Sequence, residues 1–321
     1  MLSYGVAFTN DLERLREVIK RVNKSPLGCG ALAGNAFSID REAMAKELGF
    51  DGLIYNSMSA VGDRDFVLET MHWGTTLMLH LSRWSEDLII YGSSEFGFVR
   101  LSDAYTTGSS LMPQKKNSML HFLSLCHDTD ILGDSLELLR GKCGRSFGLM
   151  AGKYSKHPMS TALLTFEGLM MTIKGIPSTY NKDLQESVEP MLEHVKTLKD
   201  SLQIASRVLS SLTTFPEKMI AALTPDMLAT DIAEYLVRKG LPFRETHHIA
   251  GRVVALAEKE EIPMDKLTLQ QLQGVDSRFG KDVLEVFDYA RSVEMKSASG
   301  GTSKSAVLEQ IQILKNIVKS S

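Results

Sequence analysis

Apolar residues recur at intervals of three and four positions through most of the chain. Between residues 12 and 22 they alternate with charged side chains, which predicts an amphipathic helix. Asp40 comes directly before a further helical stretch and is typical of an N-cap. From residue 63 to about residue 90 the pattern continues without a proline, so we predict one long helix of the kind that builds bundles.

A second long helix is predicted from residue 182 to about residue 212, where apolar residues again form a stripe. Pro190 lacks the N–H that a helix interior needs and should kink or restart this helix. After Phe215 the predicted helices become shorter. Prolines and glycines stand near their starts and stops, at Pro225, Gly240, Pro242 and the Gly300-Gly301 pair.

Strand-like alternation is confined to residues 95–101. The fold class is therefore predicted to be all-α, a bundle of long helices with a small C-terminal helical domain. Because the helices shorten between them, we place the bundle domain at residues 1–222 and the second domain at residues 223–321.

Composition and charge narrow the possible partners. Of 321 residues, 43% are hydrophobic and 23% are charged, and the net charge is −3. Basic residues form no aromatic-interleaved cluster, so we expect a small molecule or another copy of the chain as partner, with no nucleic acid and no membrane. Three cysteines without CxxC spacing favour a reducing, cytoplasmic environment. The uncharged residues 70–82 are too few for a membrane helix, and we expect no secretion signal or anchor.

The densest candidate chemistry lies at residues 108–117, which read Gly-Ser-Ser-Leu-Met-Pro-Gln-Lys-Lys-Asn. Glycine lets the backbone approach a ligand closely, and the hydroxyl and N–H groups that follow can face an anion. Lys115 can stabilise a developing oxyanion, and Asn117 can orient a substrate without adding charge. The residue types alone also allow a solvated surface loop.

This string resembles the signature GSSxMPxKxN of the fumarase/aspartase superfamily, and its LMPQKKN form resembles the argininosuccinate lyase family. Residues 26–35, 63–67, 178–186 and 224–247 carry the same resemblance. It implies a long-helix bundle that splits argininosuccinate into arginine and fumarate, a step of arginine biosynthesis, with no metal or organic cofactor. It also implies a cytoplasmic homotetramer whose composite sites take residues from several chains.

The resemblance implies three catalytic residues. Ser109 matches the family's base, and its hydroxyl would need a strong positive potential to ionise near neutral pH. Lys115 matches the cation that stabilises the charged intermediate. Glu137 matches the glutamate that pairs with a catalytic histidine, although its residue type alone suggests an exposed helix carboxylate.

Three further residues, Asn117, Tyr180 and Gln185, match substrate contacts of the family. For Tyr180 the residue type alone suggests a half-buried packing role. Four charged or titratable residues are left outside the site: Arg64, Asp65, His247 and His248. We expect the first two to form a cap and an ion pair at a helix start, and the histidines to be solvated or at the edge of the core.

The chain also departs from the family pattern. Residues 118–133 and 153–168 look like insertions, and the second would interrupt a bundle helix. Val188 stands where the family has a substrate-binding lysine, and Cys29 where it has a serine. The resemblance implies an N-terminal region with a catalytic histidine loop, to which residues 1–30 do not correspond, so we expect a truncated chain that is inactive alone.

Two alternatives stay open from the sequence. One is a non-catalytic homologue with a structural role, as in the family's delta-crystallins, or a nonfunctional truncated product. The other is a different lyase of the superfamily, such as adenylosuccinate lyase, which the strings LMPQKKN and PDMLATD disfavour.

Overall fold

The computed structural model describes residues 1–102, 135–150 and 168–319, and the backbone of residues 107–108 and 116–117. Side chains are described in these ranges except at residues 107–108, 116–117, 145–150, 168 and 171. The chain divides into two compact units, Ser3–Phe215 (unit 1) and Pro216–Ser321 (unit 2). The predicted domain bounds, 1–222 and 223–321, stay a prediction.

Unit 1 is built mainly of helices. Four come first: α1 (Leu2–Val22), α2 (Arg41–Glu47), α3 (Ser57–Gly62) and α4 (Asp65–Gly92). Three two-residue strands follow: β1 (Val99–Arg100), β2 (Thr107–Gly108) and β3 (Lys116–Asn117). The unit continues with α5 (Ser135–Met150), α6 (Gly168–Ile173), a 3₁₀ turn (Lys182–Ser187), α7 (Val188–Ser211) and β4 (Thr213–Thr214). β1 pairs with β4 and β2 with β3, in both cases antiparallel.

The bundle of unit 1 is formed by α4, α5 and α7, which pack against one another. The buried side of α4 recurs every three or four residues, at Val67, Met71, Gly74, Leu77 with Met78, Leu81, Trp84 and Leu88. Burial of each large apolar side chain among them contributes about 1.5–3 kcal/mol. At Gly74 the helix comes close to α7, because a Cβ there would overlap His194 Nε2 and Leu198 Cδ1.

Two predicted helix starts in unit 1 are confirmed, and a third lies later in the chain than predicted. Asp40 Oδ1 accepts a hydrogen bond from the Ala43 N–H at 2.9 Å and so caps α2. The long helix predicted from residue 63 is α4. The helix predicted from residue 182 restarts at Val188 after the 3₁₀ turn, and Pro190 lies in the first turn of α7, where a missing N–H leaves no hydrogen bond unmade.

Unit 2 consists of short helices around an apolar core. Its helices are α8 (Pro216–Ala221), α9 (Ala229–Arg238), α10 (Phe243–Lys259), α11 (Leu269–Val275), α12 (Tyr289–Met295) and α13 (Lys304–Lys319). Its 3₁₀ turns are Pro225–Leu228, Met264–Lys266 and Lys281–Phe287. The fully buried core residues include Ile232, Leu236, Val253, Met264, Leu272 and Val283. Gly240, with φ +93°, follows α9 and Pro242 precedes α10, as predicted. The all-α prediction is confirmed for the described ranges.

Candidate functional site

The motif at residues 108–117 begins and ends on a short antiparallel ladder. Gly108 pairs with Lys116, and Thr107 pairs with Asn117. The backbone therefore brings the two ends of the motif together. Ser109 and Lys115 lie outside the described residues, as does the side chain of Asn117, so the roles of all three stay predictions.

Glu137 lies in the first turn of α5 and is exposed. An exposed position is compatible with both of its interpretations, a helix carboxylate and the partner of a histidine. Its role therefore stays a prediction. The predicted insertion 118–133 lies outside the described residues, as does the second one except for Gly168.

Tyr180 and Gln185 are the predicted substrate contacts whose side chains the structure describes. Tyr180 follows α6 and is 46% exposed, so packing against the core does not account for its whole side chain. Gln185 is exposed in the 3₁₀ turn that precedes α7. Both side chains are accessible to a ligand from solvent. Val188, at the position of the family's lysine, is also exposed and offers no charge.

Two of the segments that carry the resemblance lie against the two ends of α3. At its start, a Cβ on Gly34 would lie 3.7 Å from Ser57 Oγ. At its end, a Cβ on Gly62 would lie 3.1 Å from the carbonyl oxygen of Thr179. The glycine-rich segment 26–35 and the segment of Tyr180 therefore both lie next to one six-residue helix.

Arg64 connects a third segment to this region. Its guanidinium donates to Asp63 O at 2.6 Å and to Leu184 O at 3.4 Å, so it binds backbone carbonyls where an ion pair was predicted. Arg64 is the N-cap residue of α4 but its side chain makes no capping hydrogen bond, so the predicted side-chain cap is absent there. Asp63 Oδ1, one residue earlier, accepts from the Asp65 N–H at 3.0 Å and closes a local turn. The charge of Asp63, then burial, then the charge of Glu69 raise the pKa of Asp65.

Sequence reasoning missed the backbone of Thr179, which has φ +89°. No residue type signals such a conformation here, because β-branched residues rarely adopt positive φ. Asn181 was missed as well, although its side chain donates to two carbonyls of the same turn. Asparagine in a turn is the one signal that pointed to it.

The remaining titratable residues add little to the site. His247 and His248 are exposed on α10, as expected. Among the described residues, no group of three or more His, Cys, Asp or Glu side chains could hold a metal ion. In the described ranges, no helix has both the length and the apolar character that crossing a membrane requires.

Two protein-family models match this chain, one over its first third and the other in its last third. A model described as lyase matches residues 1–120, and a model described as argininosuccinate lyase C-terminal matches residues 226–294. The argininosuccinate lyase of Candida albicans is 54% identical over 317 residues, which are 98% of this chain and 61% of that protein. An argininosuccinate lyase of Schizosaccharomyces pombe is 53% identical over 99% of this chain and 62% of its own length. The chain spans about six-tenths of the length of these curated relatives.

Solved structures share the fold. EDDS lyase in complex with formate has a TM-score of 0.76 at 24% identity and covers 97% of this chain and 58% of its own. The class II fumarase from Schistosoma mansoni has a TM-score of 0.62 at 15% identity, with 89% and 56% covered. At these identities the likeness concerns the fold alone.

Proposed function

Since the chain belongs to the argininosuccinate lyase family, we propose that it functions in splitting argininosuccinate into arginine and fumarate. The observation that carries this proposal is the 54% identity to a protein of that name across nearly the whole chain. The reaction removes a proton from the carbon beside a carboxylate and then breaks a C–N bond. It therefore needs a base and a stabiliser of negative charge.

Ser109 is the proposed base, and Lys115 is the proposed stabiliser of the charged intermediate. An ammonium group near a serine hydroxyl lowers the free energy of the deprotonated form, so Lys115 would assist both tasks. Removing one such stabilising group typically costs about 10²–10³ in rate. Glu137 would act one step further away, by pairing with the catalytic histidine that the resemblance implies.

The substrate offers carboxylates and a guanidinium group, and the proposed contacts suit them. Asn117, Tyr180 and Gln185 supply amide and hydroxyl groups, which bind carboxylates without changing the net charge of the site. No cofactor enters the proposal. A cytoplasmic location is supported by Cys29 and Cys143, which are buried and unpaired.

A homotetramer with composite sites is part of the proposal. Its support is an apolar stripe along α7 whose members are all more than 40% exposed: Val188, Leu192, Val195, Leu202 and Leu209. Their spacing of four, three, seven and seven residues is that of helices which pack along a common seam. Other copies of α7 would remove this stripe from water.

A structural, non-catalytic role is the second candidate, and Val188 favours it. An aliphatic side chain at a position where the family binds substrate with lysine removes a partner for a carboxylate. Activity measurements separate the two candidates.

The experiment uses the composite nature of the site. This chain is co-expressed with the Candida albicans relative in which the serine of the same motif is alanine, and fumarate release from argininosuccinate is followed by ultraviolet absorbance. We expect the mixed assembly to be active, and Ser109→Ala in this chain to abolish that activity. Ser210→Ala, the same change at an exposed position of α7, is the matched control and should leave it intact. A mixed assembly that forms, by mass, yet releases no fumarate would contradict the proposal and favour the structural role.

A further inference from the structure

The turn between α6 and α7 contains one residue in an uncommon backbone conformation. Thr179 has φ +89°, a value that glycine adopts freely. Threonine is branched at Cβ, so the same value costs free energy. A residue keeps such a conformation only where its surroundings leave it no alternative.

Two contacts hold this turn in place. Asn181 Nδ2 donates to Pro177 O at 2.8 Å and to Thr179 O at 3.3 Å, so one amide group spans the strained residue. On the other side, Gly62 faces the Thr179 carbonyl oxygen, which a Cβ would approach to 3.1 Å. The missing side chain at residue 62 is what allows α3 to lie this close. The turn is therefore braced by an amide and by a helix end.

The braced turn carries Tyr180. This side chain is 46% exposed, and its hydroxyl has no hydrogen-bond partner in the part of the chain that the structure describes. The backbone of the turn sets the direction in which this side chain leaves the chain, and its hydroxyl adds no contact of its own among the described residues. Strain kept at a single residue next to an exposed aromatic hydroxyl is typical of a site built for a ligand.

We propose that Thr179 is a positioning residue: its strained backbone, braced by Asn181 and Gly62, directs the Tyr180 side chain toward the substrate. The substrate part of this inference rests on the proposed function. Because Thr179 is strained, the proposal predicts an outcome that an unstrained connecting turn would not show. When the brace is removed, threonine relaxes to negative φ and displaces Tyr180, whereas glycine at residue 179 can keep φ +89° without cost.

The experiment measures both the tyrosine and the ligand on the full chain. 3-Fluorotyrosine is incorporated at residue 180 for ¹⁹F NMR, and the affinity for argininosuccinate is measured by calorimetry. We expect Asn181→Ala to shift the ¹⁹F resonance and to weaken binding about tenfold, because two hydrogen bonds of the brace are lost. Adding Thr179→Gly to Asn181→Ala should restore the resonance and bring the affinity within about threefold of the unmodified chain. Gly62→Ala crowds the Thr179 carbonyl oxygen from the other side and should also shift the resonance. Because the crowded atom belongs to the backbone, Thr179→Gly should not reverse this second shift.

Glu261 offers a matched control, since it also has positive φ, +54°, but follows α10 in unit 2. Glu261→Gly combined with Asn181→Ala should restore neither the resonance nor the affinity. The inference is overturned if Asn181→Ala and Gly62→Ala leave the resonance unmoved, or if Thr179→Gly fails to restore it in the Asn181→Ala chain. If the chain alone binds no argininosuccinate, the ¹⁹F comparison still decides the role of Thr179, and fumarate release by the mixed assembly decides the proposed function separately.

Discussion

Both units bury titratable side chains, and one side chain from each unit, His194 and Asp231, illustrates a different way of stabilising such a group. In unit 1, His194 is fully buried on α7, and neither ring nitrogen has a hydrogen-bond partner among the described residues. In unit 2, the buried Asp231 accepts hydrogen bonds from Ser292 Oγ at 2.8 Å and from Lys296 Nζ at 3.1 Å. An unpartnered imidazole must stay neutral, whereas a partnered carboxylate can stay charged.

This difference indicates the pH range in which each unit loses stability on acidification. Burial lowers the pKa of His194 to about 4, because the charged form is poorly solvated there. Asp276 is another partnered carboxylate of unit 2. A hydrogen bond from the Arg278 guanidinium lowers its pKa to about 2. As the pH falls, unit 1 should therefore lose stability before unit 2 does.

The largest expected effect breaks the packing around His194. Gly74→Ala places a methyl group against His194 and Leu198, and we expect it to destabilise unit 1 by about 3 kcal/mol. Urea unfolding followed by tryptophan fluorescence measures it, because Trp73 and Trp84 both lie on α4. His194→Ala in the same chain should recover part of the loss, since it opens the space that the methyl needs. Equal losses with and without His194→Ala would mean that the ring is not the obstacle.

The second effect is the acid response of unit 1. The folded pKa of His194 lies below the ordinary value of 6.5, so the unfolded chain takes up the proton first as the pH falls. Stability should be constant above about pH 6.5 and should fall by about 2–3 kcal/mol down to pH 4. His194→Leu should flatten this window in fluorescence-detected unfolding, while the exposed His247→Gln should not. A window that survives His194→Leu would assign the response to other groups.

A smaller effect is expected in unit 2, where the buried carboxylate of Asp231 has hydrogen-bond partners. Asp231→Ala leaves Ser292 without its acceptor and Lys296 with Glu234 as the remaining carboxylate, at 2.7 Å. We expect unit 2 to lose about 2 kcal/mol, which amide hydrogen exchange in α9 and α12 would detect. Ser292→Ala, which removes one hydrogen bond, should cost about 1 kcal/mol. Unchanged exchange in Asp231→Ala would show that the network contributes nothing to stability.

The smallest effect concerns the acid response of unit 2. The pKa of Asp276 is lowered from 3.8, so its contribution is present above about pH 3.8 and is lost as the pH falls to about 2. Arg278 is well exposed, so solvent screens the pair and the change should be modest. Asp276→Asn should remove this low-pH step from the circular dichroism signal of acid unfolding. A step of the same size in Asp276→Asn would assign it to another carboxylate.

Local sequence signals were sufficient for most helices. Unbroken periodicity predicted α4, the carboxylate of Asp40 predicted the start of α2, and Gly240 with Pro242 predicted the gap between α9 and α10. These features depend on neighbouring residues along the chain, which the sequence displays directly. The 3₁₀ turn before α7 was not predicted, because Lys182–Ser187 has ordinary helix-forming residues.

The candidate site was predictable only in part, because it is made by distant segments. Resemblance supplied Tyr180 and Gln185, and the structure finds both exposed. The strain at Thr179, the burial of His194 and the contact of Gly62 with another segment arise from tertiary packing, which no local pattern encodes. Ser109 and Lys115 remain assignments by resemblance alone.

Helix α3 has a mechanical consequence. At about 1.5 Å per residue its six residues form a strut roughly 9 Å long, too short to bend appreciably. One end lies against Gly34 and the other against the Thr179 carbonyl. The length of this helix therefore sets the spacing between the glycine-rich segment and the turn of Tyr180.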